Sequence, residues 1–323
     1  MIRLGVAPLL VCALWAGACG TTRAEENWPT KPIRAVLPVA PGTGADLVAR
    51  LVFNQISIQL GQQIVIENRG GAGGTIGTAA VAKADPDGYT LLAQSTSHTI
   101  APAIYTNLPY DVTRDFSAVA AFGRMPTALI MAPSKGFKTV QDFVAAAKTT
   151  PAKFTYASAG VGSTTHLTAE RFRLSAGFEA IHVPFRGGGF RPEVASGRVD
   201  FAFSPIAVAV PDIRDGRLVA LAVSGLQRSS SLPEVPTTLE AGYPNSDYAL
   251  WVGVFVPVKT PRAIVDRLHQ EAMKALREPS LRERLAVLDV EPMPLSPTEF
   301  DAYVKNEIAV QGAVAKAAGL QPN

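Results

Sequence analysis

The fold is decided by a short turn of small residues, Ala40-Pro41-Gly42-Thr43-Gly44-Ala45-Asp46. It follows an apolar, β-branched stretch at 33–39 and precedes an amphipathic pattern that begins near Asp46. Glycine lets the backbone curl tightly there, and the N-terminus of a helix carries partial positive charge. The stretch therefore predicts a strand, a turn and a helix that together bind an anion through backbone N–H groups. A carboxylate is the anion we expect.

A second turn of the same kind occurs later in the chain, Ala157-Ser158-Ala159-Gly160-Val161-Gly162-Ser163-Thr164-Thr165-His166. It again joins the end of a strand pattern to the start of a helix pattern. Its amides, with the hydroxyls of Ser163 and Thr164, are potential donors. If both turns face one cleft, a single anion is bound from two sides.

Polar residues at the ends of other predicted strands are further candidates, because open α/β sheets bind ligands beyond the carboxyl ends of their strands. Ser95 follows the strand pattern 89–94, and Ser204 follows 199–203. His98 is a weaker candidate close to Ser95. The loop 182–189 contains three consecutive glycines and is interpreted either as a plain β–α connection or as part of the site.

The first 24 residues have the pattern of a secretory signal peptide. They contain Arg3, an apolar run that is too short to span a bilayer comfortably, and small residues near Ala24. Lipidation of Cys19 is the alternative, since the residues before it loosely resemble a lipobox. Both cysteines of the chain, Cys12 and Cys19, lie in this leader. A chain cleaved after Ala24 therefore has neither a disulfide nor a cysteine metal site.

Charge and motifs exclude several classes of function. Removing the two arginines of the leader from the 30 basic residues leaves 28 basic against 27 acidic residues. That balance argues against binding to nucleic acid or to an anionic membrane surface. The glycine-rich stretch 67–74 fits neither G-x-G-x-x-G nor the Walker A pattern, and no metal-ligand spacing occurs. No cofactor and no metal are expected.

Strand and helix patterns alternate along the chain, which is typical of βαβ units and a mainly parallel sheet. A long apolar stretch at 119–132 predicts a strand that leaves one lobe and enters another, with the crossover near 123–126. A connector rich in Ser, Pro and Gly at 229–247 precedes the return. We therefore predict two α/β lobes: residues 25–124 with 248–323 form lobe one, and 125–247 form lobe two.

Catalysis is the alternative to binding. Ser163 and His166 are three residues apart and together suggest a secreted hydrolase, but no G-x-S-x-G elbow surrounds the serine. Residues three apart at the start of a helix do not automatically align for proton transfer. A non-enzymatic receptor is the leading hypothesis.

Several short motifs, in order along nearly the whole mature chain, resemble the Bug family, the extracytoplasmic solute-binding proteins of tripartite tricarboxylate transporters. These motifs are Trp28-Pro29-Thr30-Lys31-Pro32-Ile33, Pro41-Gly42 with Asp46, Ala49 and Arg50, Glu67-Asn68-Arg69, Gly71-Ala72-Gly73-Gly74, 84–91, Pro109-Tyr110-Asp111, Gly160 with Gly162, Ser163, His166 and Leu167, and Val183-Pro184-Phe185 with Gly187-Gly188. One departure is Thr43, where the family commonly has glycine.

The resemblance implies a two-lobed, type II periplasmic-binding-protein fold with a ligand cleft between the lobes. It also implies a di- or tricarboxylate, amino acid or aromatic acid as ligand, and permease subunits of a tripartite tricarboxylate-type transporter as partners. A membrane signalling partner is the alternative. A monomer in the periplasm that closes by hinge motion is expected. The ligand-binding residues expected from the turns, the strand ends and the resemblance are Ala40, Gly42, Thr43, Gly44, Asp46, Ser95, Gly162, Ser163, Thr164 and Ser204. The role expected of Asp46 is to order its turn and cap the helix.

Overall fold

The computed structural model describes residues 27–151 and 153–320. The predicted signal peptide and Cys19 lie outside these residues. Within the described part of the chain, none of the helices has both the length and the apolar character needed to cross a membrane.

The first part of the described chain alternates strands with helices. Its elements are β1 (Ile33–Leu37), α1 (Gly44–Leu60), β2 (Ile64–Asn68), α2 (Thr75–Ala82), β3 (Thr90–Ser95) and α3 (Ser97–Ile104). Strand β1 pairs in parallel with β2 on one side and β3 on the other, as the predicted βαβ units require. Helix α1 ends at Leu60 and is capped by Gly61, whose φ of 66° is left-handed. Helix α3 was not predicted.

Strand β4 (Phe116–Met131) runs through the middle of the molecule and changes its partners along its length. Residues 116–126 pair antiparallel with β9 (Ala249–Pro257), whereas 127–131 pair with β7 (Phe201–Pro205) and β8 (Val219–Val223). The exchange occurs between Pro126 and Thr127, at the end of the predicted crossover window. This exchange supports the division into two lobes, which we retain as a proposal.

The second part of the chain repeats the alternation and adds a C-terminal group of helices. Its other elements are α4 (Val140–Thr149), β5 (Phe154–Ser158), α5 (Thr164–Ala176), β6 (Ala180–Pro184), α6 (Arg191–Ala195), α7 (Ile206–Arg214), α8 (Arg262–Arg277), α9 (Pro279–Val287) and α10 (Pro297–Ala317). Strand β5 is parallel to both β6 and β7. Across the described residues the strand order is β2-β1-β3-β9-β4-β7-β5-β6, with β8 also on β4. The fold is thus a mixed α/β fold in which antiparallel β9 and β4 join two parallel groups.

Separate hydrophobic cores lie in the two parts. In the first, Phe53 of α1 meets Phe122 of β4 edge to face, with ring centroids 5.3 Å apart. In the second, Phe143 of α4 packs against Phe201 of β7 at 5.0 Å. Helix α10 begins with the predicted capping box of Ser296 and Glu299 and packs on α3, β4 and α5. It therefore contacts both parts, and a small buried cluster of Ile100, Ile104, Leu167 and Ala315 fills the junction.

Candidate ligand-binding site

The two predicted turns have the same backbone form. Gly42 and Gly162 have φ angles of 76° and 74°, which favour glycine because a Cβ is strained there. Each is followed by an extended N-cap residue, Thr43 or Ser163, and then by a helix. In each case the N-cap oxygen accepts a hydrogen bond from the amide three residues later, that of Asp46 or His166. The β-branched Thr43 is therefore compatible with the turn.

Asp46 holds the first turn together from behind. Its Oδ2 accepts from the amide of Gly42 at 2.9 Å and from Nε of Arg50 at 3.0 Å, and its Oδ1 accepts from Nδ2 of Asn68 at 2.8 Å. Burial alone would raise the pKa of Asp46, but these hydrogen bonds outweigh it and lower the pKa below its ordinary value. The charged carboxylate thus fixes the turn through three neighbours.

His166 has the corresponding place in the second turn. Its Nδ1 accepts from the amide of Gly162 at 3.2 Å, and its ring stacks on that of His182 at 3.9 Å. Nε2 of His182 is 2.7 Å from Oγ of Ser158, which in turn accepts from the amide of Gly160. Burial lowers the pKa of His166 to about 3 and that of His182 to about 4, so both rings are neutral at pH 7.

The same contacts bear on the alternative of a hydrolase. The hydrogen bond between Ser163 and His166 runs from the His166 amide to Oγ of Ser163, not to the imidazole. Nε2 of His166 is buried and has no hydrogen-bond partner among the described residues. Ser163 and His166 therefore do not form a nucleophile and base pair in this structure.

Both helices that follow the turns leave amides for a ligand. The first N–H groups of a helix have no acceptor within it, which applies to Gly44 and Ala45 in α1 and to Thr164 and Thr165 in α5. These four residues line one cavity of about 750 Å³. Two helix N-termini therefore direct partial positive charge and N–H donors into the same space.

Most of the predicted site residues line this cavity. They are Ala40, Gly42, Thr43, Gly44, Ser95, Ser163, Thr164 and Ser204. Asp46 and Gly162 lie outside the lining, and the amides of Gly42 and Gly162 are already bonded to the side chains of Asp46 and His166. These two glycines therefore shape the turns, and the donors are the amides that follow them.

Ser204 is the best-placed side chain for an added hydrogen bond. It is fully buried at the end of β7, lines the cavity, and its Oγ has no partner among the described residues. Ser95 is also buried in the lining, but its Oγ is 3.3 Å from that of Ser97. Because an unpaired buried hydroxyl costs free energy, Ser204 is a candidate to hydrogen-bond a ligand.

His98 belongs to the core of the first part, not to the cavity. Its ring lies 5.3 Å from that of Phe116 and 4.8 Å from that of Phe255, and neither nitrogen has a hydrogen-bond partner among the described residues. Burial lowers its pKa to about 3. The interpretation of His98 as a cleft residue is therefore wrong.

Several lining residues were not among those predicted. The glycine-rich loop 70–74 and the segment 185–188, which sequence reasoning left open, both reach the cavity. The remaining additions come from elsewhere in the chain and include Tyr105, Phe190, Arg191, Val208 and Leu250. The lining contains two arginines and, among the described residues, no aspartate or glutamate. Its electrostatic character suits an anion.

The two parts touch each other around the cavity. A Cβ placed on Gly44 would lie 3.2 Å from Cβ of Pro205, and one on Gly187 would lie 3.0 Å from Cβ of Ala40. The hydroxyls of Thr96 and Thr164 also form a hydrogen bond across the junction. The cavity is thus enclosed by residues of both parts, and glycine at two positions permits the approach.

The chain is similar to a family of known proteins. Residues 48–320 match the model described as "Tripartite tricarboxylate transporter family receptor". A UPF0065 protein from the tcbD-tcbE intergenic region of Pseudomonas sp. (strain P51) is 35% identical over 95% of this chain and 93% of its own length.

Solved structures agree with this match. The periplasmic binding protein BugD is similar with a TM-score of 0.85 and 29% identity, over 92% of this chain and 100% of that one. Rpa4515 of R. palustris with adipate has a TM-score of 0.87 and 32% identity, over the same 92% of this chain and 100% of its own.

Proposed function

The chain belongs to the tripartite tricarboxylate transporter receptor family, whose Bug members are periplasmic solute-binding proteins, and we propose that it captures a small carboxylate in the cavity between its two turns. The observation that carries the proposal is the convergence of the turns at 40–44 and 163–165 on one cavity, whose lining has no acidic residue within the described part of the chain. Each turn presents the N-terminus of a helix, so two dipoles favour the same anion.

The available donors are sufficient for useful affinity. A hydrogen bond to a charged group contributes about 1.5–3 kcal/mol, and micromolar binding needs about 8 kcal/mol net. Amides of Gly44, Ala45, Thr164 and Thr165, with the free hydroxyl of Ser204, supply several such bonds. A carboxylate has lone pairs for about four donors, so these five groups are enough to satisfy one carboxylate.

Adipate in the related Rpa4515 structure supports a carboxylate as the ligand class. The apolar side chains of Val39, Phe185, Val208 and Leu250 in the same lining suit the carbon skeleton of an organic acid. Inorganic anions offer nothing to such surfaces, so these contacts favour an organic acid.

Delivery to permease subunits of a tripartite tricarboxylate-type transporter is the proposed role, with export by the signal peptide at 1–24. Closure about the segments that join the two parts, near Pro126 in β4 and at 229–247, would bring the turns together on the ligand. The ligand contacts both parts at once only in the closed conformation, so binding favours that conformation. Small-angle scattering should therefore show compaction when a bound acid saturates the protein.

Calorimetry with a panel of di-, tri- and aromatic carboxylates tests the proposal. At least one acid should bind, and at 100 times its Kd it should stabilise the protein by about 2.7 kcal/mol. Mass spectrometry of material that copurifies with the protein would name the acid. Absence of stabilisation by every anion tested, or turnover of one of them, would overturn the proposal.

Two serine variants separate binding from folding. Ser204→Ala should weaken binding while leaving stability unchanged or slightly higher, because it removes an unpaired buried hydroxyl. Ser224→Ala is the control: Ser224 accepts from the amide of Thr127 and donates to the carbonyl of Tyr248, away from the cavity lining. It should lower stability by about 1–3 kcal/mol. Equal loss of affinity in both variants would contradict a ligand contact at Ser204.

A further inference from the structure

The two arginines of the cavity lining differ in whether they are paired with an acidic residue. Arg191 is already neutralised, because its guanidinium donates to Oδ2 of Asp212 at 2.9 Å and to the carbonyl of Val208. The guanidinium of Arg186 has no hydrogen bond and no ion pair with any of the described residues. Arg186 is therefore the one charged side chain of the lining, within the described chain, that lacks a counter-charge.

The backbone on both sides of Arg186 is fixed. The amide of Phe185 donates to the carbonyl of Ser158 at 3.0 Å, which ties the loop to the strand that leads into the second turn. On the other side, Gly187 has a φ of 61° and approaches Ala40 of the first turn. Arg186 is thus held between one turn and the other, and it is an exposed residue of the cavity lining.

One carboxylate does not use this arginine. The helix N-termini and Ser204 already provide the donors for a single anionic group, and a cavity of about 750 Å³ has room for much more than that group. A guanidinium presents five N–H donors in a plane that matches a carboxylate. A ligand with one charge therefore leaves this guanidinium without a partner of opposite charge.

We propose that Arg186 binds a second negatively charged group of the ligand, so that the cavity takes diacids in preference to monoacids of the same length. The inference rests on the proposed function, since it assumes that the turns hold the first carboxylate. Arg186 is then the residue that selects for ligand charge.

Matched acids test this selection. The probes are the straight-chain diacids from malonate to suberate and the monoacids of matching length, measured by calorimetry. Wild-type protein should bind at least one diacid about tenfold or more tightly than its monoacid partner. Arg186→Gln should remove most of that difference by weakening diacid binding, with monoacid affinity changed by less than about twofold. Arg186→Lys should keep part of the difference, because lysine retains the charge without the planar donors.

Arg214→Gln is the matched control, since Arg214 is exposed on α7 in the same part of the molecule and outside the cavity lining. It removes the same charge and should leave both affinities unchanged. A similar effect of Arg214→Gln would show a long-range field effect and overturn the contact. Equal weakening of diacid and monoacid by Arg186→Gln, or wild-type protein that prefers monoacids, would also overturn it. If no acid binds at all, the proposed function itself fails.

Discussion

The side chains three residues after each N-cap, those of Asp46 and His166, stabilise their turns in the same way although one is a carboxylate and the other an imidazole. Asp46 and His166 each accept the amide of a glycine that has a left-handed conformation, Gly42 or Gly162. The charged carboxylate of Asp46 also accepts hydrogen bonds from Arg50 and Asn68, whereas the neutral imidazole of His166 stacks on His182. Neither side chain lines the cavity. These contacts fix the direction of the amides that follow, and under the proposed function that direction sets the affinity for an anion.

Asp46→Asn should therefore weaken binding without touching the ligand. The amide nitrogen of asparagine would face either the Gly42 amide and Nε of Arg50, or Nδ2 of Asn68. All three are donors, so at least one of the present hydrogen bonds is lost. The expected costs are about 1.5–3 kcal/mol in unfolding free energy and about tenfold or more in affinity. Urea unfolding and calorimetry measure the two effects.

The control for this variant is Asp142→Asn in helix α4. Asp142 also lies three residues after a threonine N-cap, Thr139, whose oxygen accepts its amide. It is exposed and far from the cavity lining, so only the interaction of its charge with the helix dipole changes. A loss of affinity in Asp142→Asn as large as in Asp46→Asn would rule out the specific role of Asp46.

The sequence predicted individual site residues best where the end of a strand, a turn of small residues and the start of a helix coincide. Thr43, Ser163 and Ser204 could be predicted because the chemistry of each is local. The repeated spacing of glycine, hydroxyl residue and Asp or His at 42–46 and 162–166 is a further signal that was present but not used. Tyr105 could not be located, and the loop 182–189 that contains Arg186 was left open between two interpretations, because a place in the lining depends on how two distant parts of the chain meet.

Glycines at the junction of the two parts allow whole helices and strands to approach each other closely. Gly44 begins helix α1, and a Cβ there would lie 2.9 Å from Sδ of Met125 and 3.2 Å from Cβ of Pro205. Sδ of Met125 belongs to a flexible side chain, but Pro205 is a rigid ring at the end of β7. An added methyl group therefore pushes the start of α1 away from the opposite part and displaces the donors of the first turn.

Gly44→Ala should lower affinity for the bound acid by about tenfold and leave a more open molecule in its presence. Calorimetry and small-angle scattering with saturating acid give the two readouts. Gly312→Ala is the control, since Gly312 lies within α10 with nothing within 4 Å of an added Cβ. It should leave binding unchanged and raise stability by up to about 1 kcal/mol. Compaction of Gly44→Ala equal to that of the wild type would contradict the steric argument.

The elements that could not be predicted depend on non-local contacts. Helix α3 begins with Ser97, His98 and Thr99 and contains Pro102, so its local sequence favours a loop. It is helical because Ile100 and Ile104 pack in the junction beneath α10. Likewise, alternation of strands and helices predicts parallel pairs, and it gives no indication that β9 inserts antiparallel between β3 and β4. Strand β4, by contrast, was predicted from the long apolar stretch at 119–132, although Gly123, Arg124 and Pro126 interrupt it.

The stability of the protein should depend on pH through three histidines, of which His98 and His166 are buried and His182 is half-buried. His98 lies in the core of the first part, and His166 and His182 lie beneath the second turn. Burial depresses the pKa of all three, to about 3 for His98 and His166 and to about 4 for His182. In the unfolded chain each regains an ordinary pKa of about 6.5.

The direction in which stability changes with pH follows from which state, folded or unfolded, binds more protons. Between the folded and unfolded pKa values, the unfolded chain binds a proton at His98 and the folded chain does not, so stability falls as the pH decreases. The loss begins near pH 6.5 and continues towards pH 3, at up to about 1.4 kcal/mol per pH unit for each such histidine. The depressed pKa of Asp46 acts in the same direction at lower pH.

His98→Leu isolates one of these contributions. Leucine keeps an apolar group between Phe116 and Phe255 and removes two nitrogens that have no hydrogen-bond partner among the described residues. Urea unfolding at pH 8, 7 and 5 should show parallel behaviour of wild type and variant between pH 8 and 7. Between pH 7 and 5 the variant should lose about 2 kcal/mol less stability than the wild type, because one buried group no longer takes up a proton on unfolding. Since that difference arises only from protonation of the unfolded chain, equal losses in the two proteins would mean that His98 is protonated in the folded state at pH 5 and is not sealed within the core.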